Sequence, residues 1–567
     1  MAFFNKPFNQ GKPQMNRPAG GKVRILSLGG VAVNKNMYVY ETDRDIIIVD
    51  CGIAFPDEDM PGIDLIIPDV GYLKDKHSKI RGIFLTHGHE DHRGALPYIL
   101  PELPRVPIYG TRLTLGLAKI RCDEANIKVD WRETDYKQTI QAGDFAVRFV
   151  HVTHSIPDAA NLIIKTPAGT IYHGSDFKFD WTPVDGFPTE VQKIAAAGEG
   201  GILCLLSDCL RVEKHGYTLS EAMIEQTFEA QIQKCTGKFI MTTQSSNISR
   251  IQQAINVAQR HDRMIVFAGR SIEQNAEAAV RLGYLTLPKN KIIKIEEVGR
   301  YPAGKVMVLA TGSQGQDNSA LARIANGEHK IRINEGDFVI FSQDPIPGSE
   351  SAVNELINTL IKAGAEVFYS AILDDLHVSG HEAADGLRLM LALTRPKFVW
   401  PIGGTIKHLK HYARLAQGMG YKHEQIIIPE EGQIFEFEND KVRKSGMAEV
   451  KNVLIDGLGI GDVGNIVLRD RLTMSADGIV MVIVPVEKAN GQIVGDVDIV
   501  SRGFVYMKES DELIGEAKEL VRVSLHEHEG HVSDFRFLRR HISDKLEEFL
   551  FKATHRRPLI LPVIVEV

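Results

Sequence analysis

Between Leu85 and Gly94 the chain reads LTHGHEDHRG, three histidines and two carboxylates within ten residues. Such groups repel one another when charged and lose hydration when buried, so something must hold them together. A metal ion does so, and imidazole and carboxylate ligands suit zinc, manganese or iron. In H-x-H-x-D-H, His87 and His89 occupy alternate positions of an extended segment and can chelate one ion. Asp91 and His92, beyond the turn, can face a second. Two ions ~3.5–4 Å apart hold a bridging hydroxide and both oxygens of a displacement. Water on such an ion ionises at a pKa of roughly 7. One cluster cannot complete two coordination spheres. His154 in HVTHSIPD and Asp176 in HGSDFKFD are the candidates to complete them, and Asp176 could bridge.

These residues need elements to position them. DIIIVD (45–50), GIFLTH (82–87), GTIYHGSD (169–176) and GILCLLSD (201–208) read as buried strands, several of them ending in His or Asp. Loops at strand ends are where an α/β site collects its polar groups. KFIMTT (238–243), MIVFAG (264–269), VMVLATG (306–312) and DFVIFS (337–342) form a second series. Helical stretches such as SRIQQAINVAQRH (249–261) separate them, which predicts a parallel sheet in its own α/β unit. EVFYSA (366–371) and KFVWPIGG (397–404) resume the first pattern. Residues 435–450 are charged and turn-rich and read as a linker. The remainder, from about Val453, contains the strand GIVMVIVPV (478–486), a turn at Asn490-Gly491 and a helix. In that helix Phe535, Leu538, Ile542, Leu546 and Phe549 make a packing stripe.

The bulk numbers bound the class. A chain of 567 residues predicts several domains, and 44% hydrophobic with 25% charged residues is ordinary for a globular protein. A net charge of −7 gives no global basic footprint, so a polyanionic substrate would need a local channel. Five scattered cysteines exclude a disulfide framework and fit free thiols in a reducing cytoplasm. No apolar run approaches a membrane span. Residues 1–22 carry Lys6, Lys12, Arg17 and Lys22, no acid and no apolar signal core, and read as a disordered basic tail.

Longer motifs go further. GGVAVNKNMYV, DCGIAFPDEDMPGIDLIIPD, THGHEDHRGALPY, HSIPDAANL, GSDFKFDWTPVDG, SSNISRIQQ, AGRSIEQN, ATGSQGQDNSALARIA, IPGSE, HVSGH and RGFVYM together resemble bacterial ribonuclease J, of the β-CASP group of the metallo-β-lactamase superfamily. The resemblance covers the chain from about residue 23. It implies an α/β fold: a metallo-β-lactamase αββα sandwich (23–210 and 366–440) with an inserted β-CASP domain (211–365). A linker (441–452) and a small α+β C-terminal domain (453–567) for oligomerisation follow. It implies a metal-dependent ribonuclease with 5′→3′ exonuclease and endonuclease activity in rRNA processing and mRNA decay.

The same resemblance implies two divalent metals, zinc first and manganese as the alternative, on His87, His89, Asp91, His92, His154 and Asp176. Asp91, Asp176 and His381 become the catalytic residues: hydroxide between the ions attacks phosphorus in line, both aspartates orient it, and His381 assists at the phosphate. His377, Ser379, Gly380 and His381 fall in the RNA phosphate pocket, and Ser246, Asn247 and Arg250 face RNA in the cleft. The implied partners are 5′-monophosphorylated single-stranded RNA, further copies of the chain in a homodimer or homotetramer, and other RNA-degradation proteins. Three departures stand out. PIGGT, Pro401–Thr405, replaces P-V-H-G-E, so Gly403 stands where the family has a histidine ligand, and the second metal site should be weakened. His408 and His411 lie nearby on a helix and read as a solvated face. GGVAVNKN is one residue short and lacks the family's glutamate. SDCLRVEKHGYTLSE replaces S-D-S-T-N-A but keeps Asp208, and Cys204 and Cys209 read as small buried residues. Two other readings compete: a catalytically weak homologue that binds RNA or a partner, favoured by PIGGT, and a small-thioester or lactam hydrolase, opposed by the phosphate-pocket motifs.

Overall fold

The computed structural model describes residues 21–566, apart from 32–34, 58, 347, 458, 488–493, 506–509 and 527–534. Most of the expected tail, up to residue 20, and the expected turn at Asn490-Gly491 therefore lie outside the described residues.

The β-branched runs pack as two facing sheets. Among the described residues one sheet has eight strands and the other six. Their shared core takes Val23, Ile25, Tyr40, Ile47 and Val49 from the first, and Phe145, Val147, Leu162, Ile171, Leu206 and Trp400 from the second. Alternate residues of Phe145–His151 point into this core because strand side chains alternate in direction. Helices Val191–Glu199, Ala384–Thr394 and Ile406–Gly418 cover the outer face of the six-stranded sheet. The architecture is the expected αββα sandwich.

The second series forms a separate five-stranded sheet, parallel throughout. Both of its faces are apolar, as helices on either side require. Glu366–Phe368, which reads from sequence as part of the sandwich, instead closes the edge of this sheet beside Phe338–Ile340. The three-residue run reveals a strand but not which sheet it joins.

The expected linker at 441–452 is also revised. Lys441–Met447 is the edge strand of the eight-stranded sheet, paired antiparallel with Gln433–Glu438. Asn439 and Asp440, at φ +49° and +62°, make the tight hairpin turn between them. The charges that suggested a linker protect an exposed strand edge.

The chain divides into two compact units, Met1–Ala54 with Ile66–Val453, and Phe55–Leu65 with Leu454–Val567. In the smaller unit, Ile479–Val486 lies between Asp498–Arg502 and Leu559–Glu566. Every second residue of the central strand is buried against helices Asp511–His526 and Phe535–Thr554. Leu538, Ile542 and Leu546 of the expected stripe sit in that core, with Phe549 at its margin. No helix among the described residues is long and apolar enough to cross a membrane.

Candidate metal centre

Parallel strands bring the ligands together. Ile46–Val49 and Ile80–Phe84 are parallel neighbours in one sheet. Gly169–Gly174, Ile202–Asp208 and Phe398–Ile402 are parallel neighbours in the other. Their C-terminal ends deliver Asp50, His87 and His89 from the first sheet, and Asp176, Asp208 and Gly403 from the second. The antiparallel strand Phe145–His151 leads to His154 at the same edge. His92 and Asp91 sit on the one-turn helix Glu90–Arg93.

The geometry is compact. His87 Nε2 and His154 Nε2 each lie 3.1 Å from His89 Nδ1. Asp176 Oδ2 is 3.3 Å from His92 Nε2, 3.7 Å from His154 Nε2 and 3.8 Å from His87 Nε2. Three overlapping donor sets result: His87, His89 and His154; His87, His92 and Asp176; His154, Asp176 and His381. Within each set every ligand atom lies within 4.8 Å of the others. Asp91 stands at the rim, 3.5 Å from His92 Nε2, and its side chain is the most exposed of the group.

Electrostatics prepare this cluster for cations. Burial holds His87 and His154 well below the ordinary histidine range and His89 at about 4, so their lone pairs are free at neutral pH. Burial opposes a charge on His92 too, but Asp176, Asp91 and Asp50 outweigh it and raise its pKa well above the usual value. Burial likewise opposes the Asp176 carboxylate, and His92 and His381 outweigh it to keep that carboxyl well below its usual range. The neutral imidazoles of His87, His89 and His154 and the ionised Asp176 carboxylate are the ligand forms a divalent ion requires, and His92 would give up its proton on binding one, so the residues fit the expected metals.

A supporting ring orients these groups, and the sequence reading assigned no role to most of it. Asp50 adopts φ +62°, accepts hydrogen bonds from Thr86 N and Oγ1 at 2.8 Å, and lies 2.8 Å from His92 Nδ1. A carboxylate behind a ligand histidine fixes its tautomer. The only signal in the sequence was that DIIIVD ends in an acid. Asp208 does the same for His381, with its Oδ2 2.8 Å from Nδ1, while His381 Nε2 faces Asp176 Oδ2 at 3.9 Å.

His154 Nδ1 lies 2.7 Å from the Gly380 carbonyl, which accepts its proton. A Cβ on residue 380 would meet the His154 ring at 2.6 Å. Gly380→Ala should therefore displace His154. We expect a loss of about 10–100-fold in hydrolysis, the range for disturbing a ligand's support, with a matching loss of metal affinity by titration. Unchanged metal affinity would contradict this role.

The remaining expected RNA residues divide. His377 is nearly buried, its Nδ1 has no hydrogen-bond partner among the described residues, and burial and the nearby Arg250 lower its pKa to about 4. Ser379 Oγ accepts from His381 N. Ser246 and Asn247 are buried at the start of helix Ile248–Arg260, where Asn247 caps it by accepting from Arg250 N. Arg250 does not face the cleft. Its side chain is fully buried, paired with Glu221 at 2.6 Å and bonded to Ser342 and the Leu376 carbonyl. Two further acids, Asp180 and Glu382, and Lys178 are buried near this pair.

Gly403 has φ +70°, and a Cβ there would face Asp208 Oδ1 at 3.6 Å and Asp176 Oδ1 at 4.0 Å, with nothing else within 4 Å among the described residues. Neither nearby histidine replaces the missing ligand. His408 is mostly buried rather than solvated: its Nδ1 caps Thr405 and its Nε2 lies 3.5 Å from Glu213. His411 Nε2 also turns to Glu213, at 3.6 Å. All five cysteines are buried and unpaired with one another.

The charge pattern has a pH signature. Burial opposes a proton on His381, but Asp208 and Asp176 raise its pKa to about 9. A histidine with a raised folded pKa stabilises fully below about 6.5 and loses that contribution as pH rises through the folded value. His89, lowered to about 4, destabilises as pH falls from about 6.5 toward that value. The melting temperature of chelator-treated protein should therefore peak near pH ~6.5. Its decline toward pH ~9 should be shallower in Asp208→Asn; an equal slope in both proteins would contradict the assignment.

Comparison with known proteins identifies the family. The family described as "Ribonuclease J, beta-CASP domain" matches residues 236–360, "Ribonuclease J C-terminal domain" matches 466–567, and "Metallo-beta-lactamase superfamily" matches 30–116. "Ribonuclease J2" of Bacillus subtilis strain 168 is 39% identical over 550 residues, covering 96% of this chain and 99% of that protein. "Ribonuclease J 1" of Streptococcus pyogenes serotype M3 is 38% identical over 96% of this chain and 98% of its own length. A crystal structure of a protein of unknown function from Enterococcus faecalis V583 shares the fold at TM-score 0.50, with 16% identity, across 73% of this chain and 99% of that one. With near-complete coverage of such relatives and all three domain types present, the chain belongs to the ribonuclease J family of metallo-hydrolases.

Proposed function

We propose that this chain is a cytoplasmic metal-dependent ribonuclease that removes nucleotides 5′→3′ from 5′-monophosphorylated RNA and also cuts internally. Convergence of His87, His89, His92, His154 and Asp176 on one pocket, in a chain of this family, carries the reading. Divalent ions, zinc first and manganese second, lower the pKa of water to roughly 7 when bound and neutralise charge on the phosphate. His87, His89 and His154 would hold one ion, and His92 with Asp176 the other. Gly403 adds no ligand, so the second ion is held more weakly than the first.

The protein's own groups do the rest. Asp176 and Asp91 accept hydrogen bonds from the attacking water and orient it toward phosphorus. His381, protonated through its pairing with Asp208, presents Nε2–H to a phosphate oxygen and can pass that proton to the leaving oxygen. The Ser379-Gly380 backbone that precedes it fits a terminal 5′-phosphate, and His377 belongs to the same pocket on family grounds. Self-association through the C-terminal unit and contacts with other RNA-degradation proteins belong to the same proposal, on family grounds.

The test is purified protein with Mn²⁺ or Zn²⁺ and an end-labelled 5′-monophosphorylated RNA. Stepwise mononucleotide release, abolished by chelation, is expected. RNA binding without cleavage under any metal would overturn the enzymatic reading in favour of a binding subunit.

A further inference from the structure

Two aromatic rings stand in solvent on loops tied by hydrogen bonds to the segments that carry Asp176 and His381. Trp181 is 59% exposed and Tyr217 54%; Phe187, further along the Trp181 loop, is 67% exposed. Trp181 lies five residues after Asp176, on the same loop. Tyr217 precedes Thr218, whose Oγ1 donates to the His381 carbonyl at 2.7 Å and whose N donates to Glu382 Oε1 at 2.9 Å. The two loops run side by side: Thr182 Oγ1 donates to Ser220 Oγ at 2.9 Å, and Glu221 N to Asp180 Oδ2 at 2.9 Å. Glu382 Oε2 also accepts from Phe179 N, so one buried carboxylate ties both ring-bearing loops to the His381 segment.

The rings are held ready. Buried Phe179 lies behind Trp181, with centroids 6.2 Å apart and planes 20° from parallel. Gly216, before Tyr217, is fixed by its carbonyl accepting from Asp385 N at 2.9 Å. Exposed Lys214 and His215 precede Tyr217 on its loop. Their acidic neighbour Glu213 is turned to Lys407, His408 and His411. Exposed rings with a lysine close by are what single-stranded nucleic acid uses: bases stack on the rings and the cation follows the backbone. A packing role would bury the rings, and neither is buried.

Resting on the ribonuclease reading, we propose that Trp181 and Tyr217 form a nucleobase-stacking subsite that grips single-stranded RNA beside the catalytic centre. The subsite is indifferent to base identity, because every base offers a flat face, and it discriminates against RNA that lacks bases.

Binding in chelator, where no cleavage occurs, separates the possibilities. The probes are a 5′-phosphorylated oligoadenylate of about ten nucleotides and an abasic strand of equal length and charge. Trp181→Ala and Tyr217→Ala should each weaken the oligoadenylate roughly tenfold and leave the abasic strand unchanged, and Trp181→Phe should restore most of the loss. Oligoadenylate should also quench tryptophan fluorescence in the intact protein and not in Trp181→Ala. Equal losses on both strands, or no loss on either, would overturn the subsite. So would unchanged RNA binding with a shifted oligomeric state, which would assign the rings to a second copy of the chain. Stepwise cleavage by the intact protein with unaltered binding in both variants would remove this proposal alone. Absence of both binding and cleavage in the intact protein would remove the ribonuclease reading with it.

Discussion

Asp176→Asn is expected to reduce RNA hydrolysis at least about 10³-fold, well beyond the 10–100-fold typical of disturbing a ligand's support. The size follows from how many groups share one oxygen. Asp176 Oδ2 lies between 3.3 and 3.9 Å from ring nitrogens of His92, His154, His87 and His381. Asparagine keeps the shape but removes the negative charge from all four contacts. Two readouts independent of catalysis should move with it. Metal content by elemental analysis should fall. In metal-free protein the histidine signals of His92 and His381 should titrate at lower pH, because Asp176 is among the charges that raise both. Full metal content together with unshifted histidines would show that Asp176 is not the hub of the centre, whatever the rate.

Why this hub was legible in sequence, and other parts were not, has a physical basis. H-x-H-x-D-H is local: a few residues of chain fix its spacing, so its chemistry can be read without a fold. His154 and Asp176 were legible because each follows an apolar strand, and strand ends collect polar groups. The sandwich and the parallel insertion were legible from continuous β-branched runs, whose burial on both faces leaves no alternation. Partnerships between distant segments were not. Asp50 behind His92, Asp208 behind His381 and the Gly380 carbonyl on His154 span 42, 173 and 226 residues. Nothing in any one segment announces the other. The sheets that Glu366–Phe368 and Lys441–Met447 join are not legible for the same reason: a strand's composition reports exposure, not its neighbour. Gly403 was legible as a missing side chain, but only the fold shows that His408 and His411 turn to Glu213.

Arg250 is the sharpest case, because a motif and the fold give it opposite roles. If it gripped RNA, Arg250→Ala would weaken binding and leave stability alone. Its burial argues for the reverse. Nη2 donates to Glu221 Oε2 at 2.6 Å, and Nη1 donates to Ser342 O at 2.8 Å and to Ser342 Oγ at 2.6 Å. Nη1 also reaches the Leu376 carbonyl at 3.3 Å, immediately before His377, so the guanidinium joins the inserted sheet to the loop that carries His381. Removing it strands Glu221 in the interior, with Lys178 3.9 Å away as the remaining nearby cation. Lys178 compensates that charge only in part, and a fully uncompensated buried charge costs about 3–5 kcal/mol, so the melting temperature should fall by several degrees. The double variant Glu221→Gln with Arg250→Met should recover part of that loss, since it leaves no carboxylate unpaired at this position. The salt dependence of RNA binding, which counts cations on phosphates, should be the same in Arg250→Ala as in the intact protein at a temperature where both are folded. A reduced salt slope with an unchanged melting temperature would return Arg250 to the RNA. The expected pair, a lower melting temperature and an unchanged slope, would make the S-N-x-x-R run a helix cap and a buried anchor that holds the His381 loop in place.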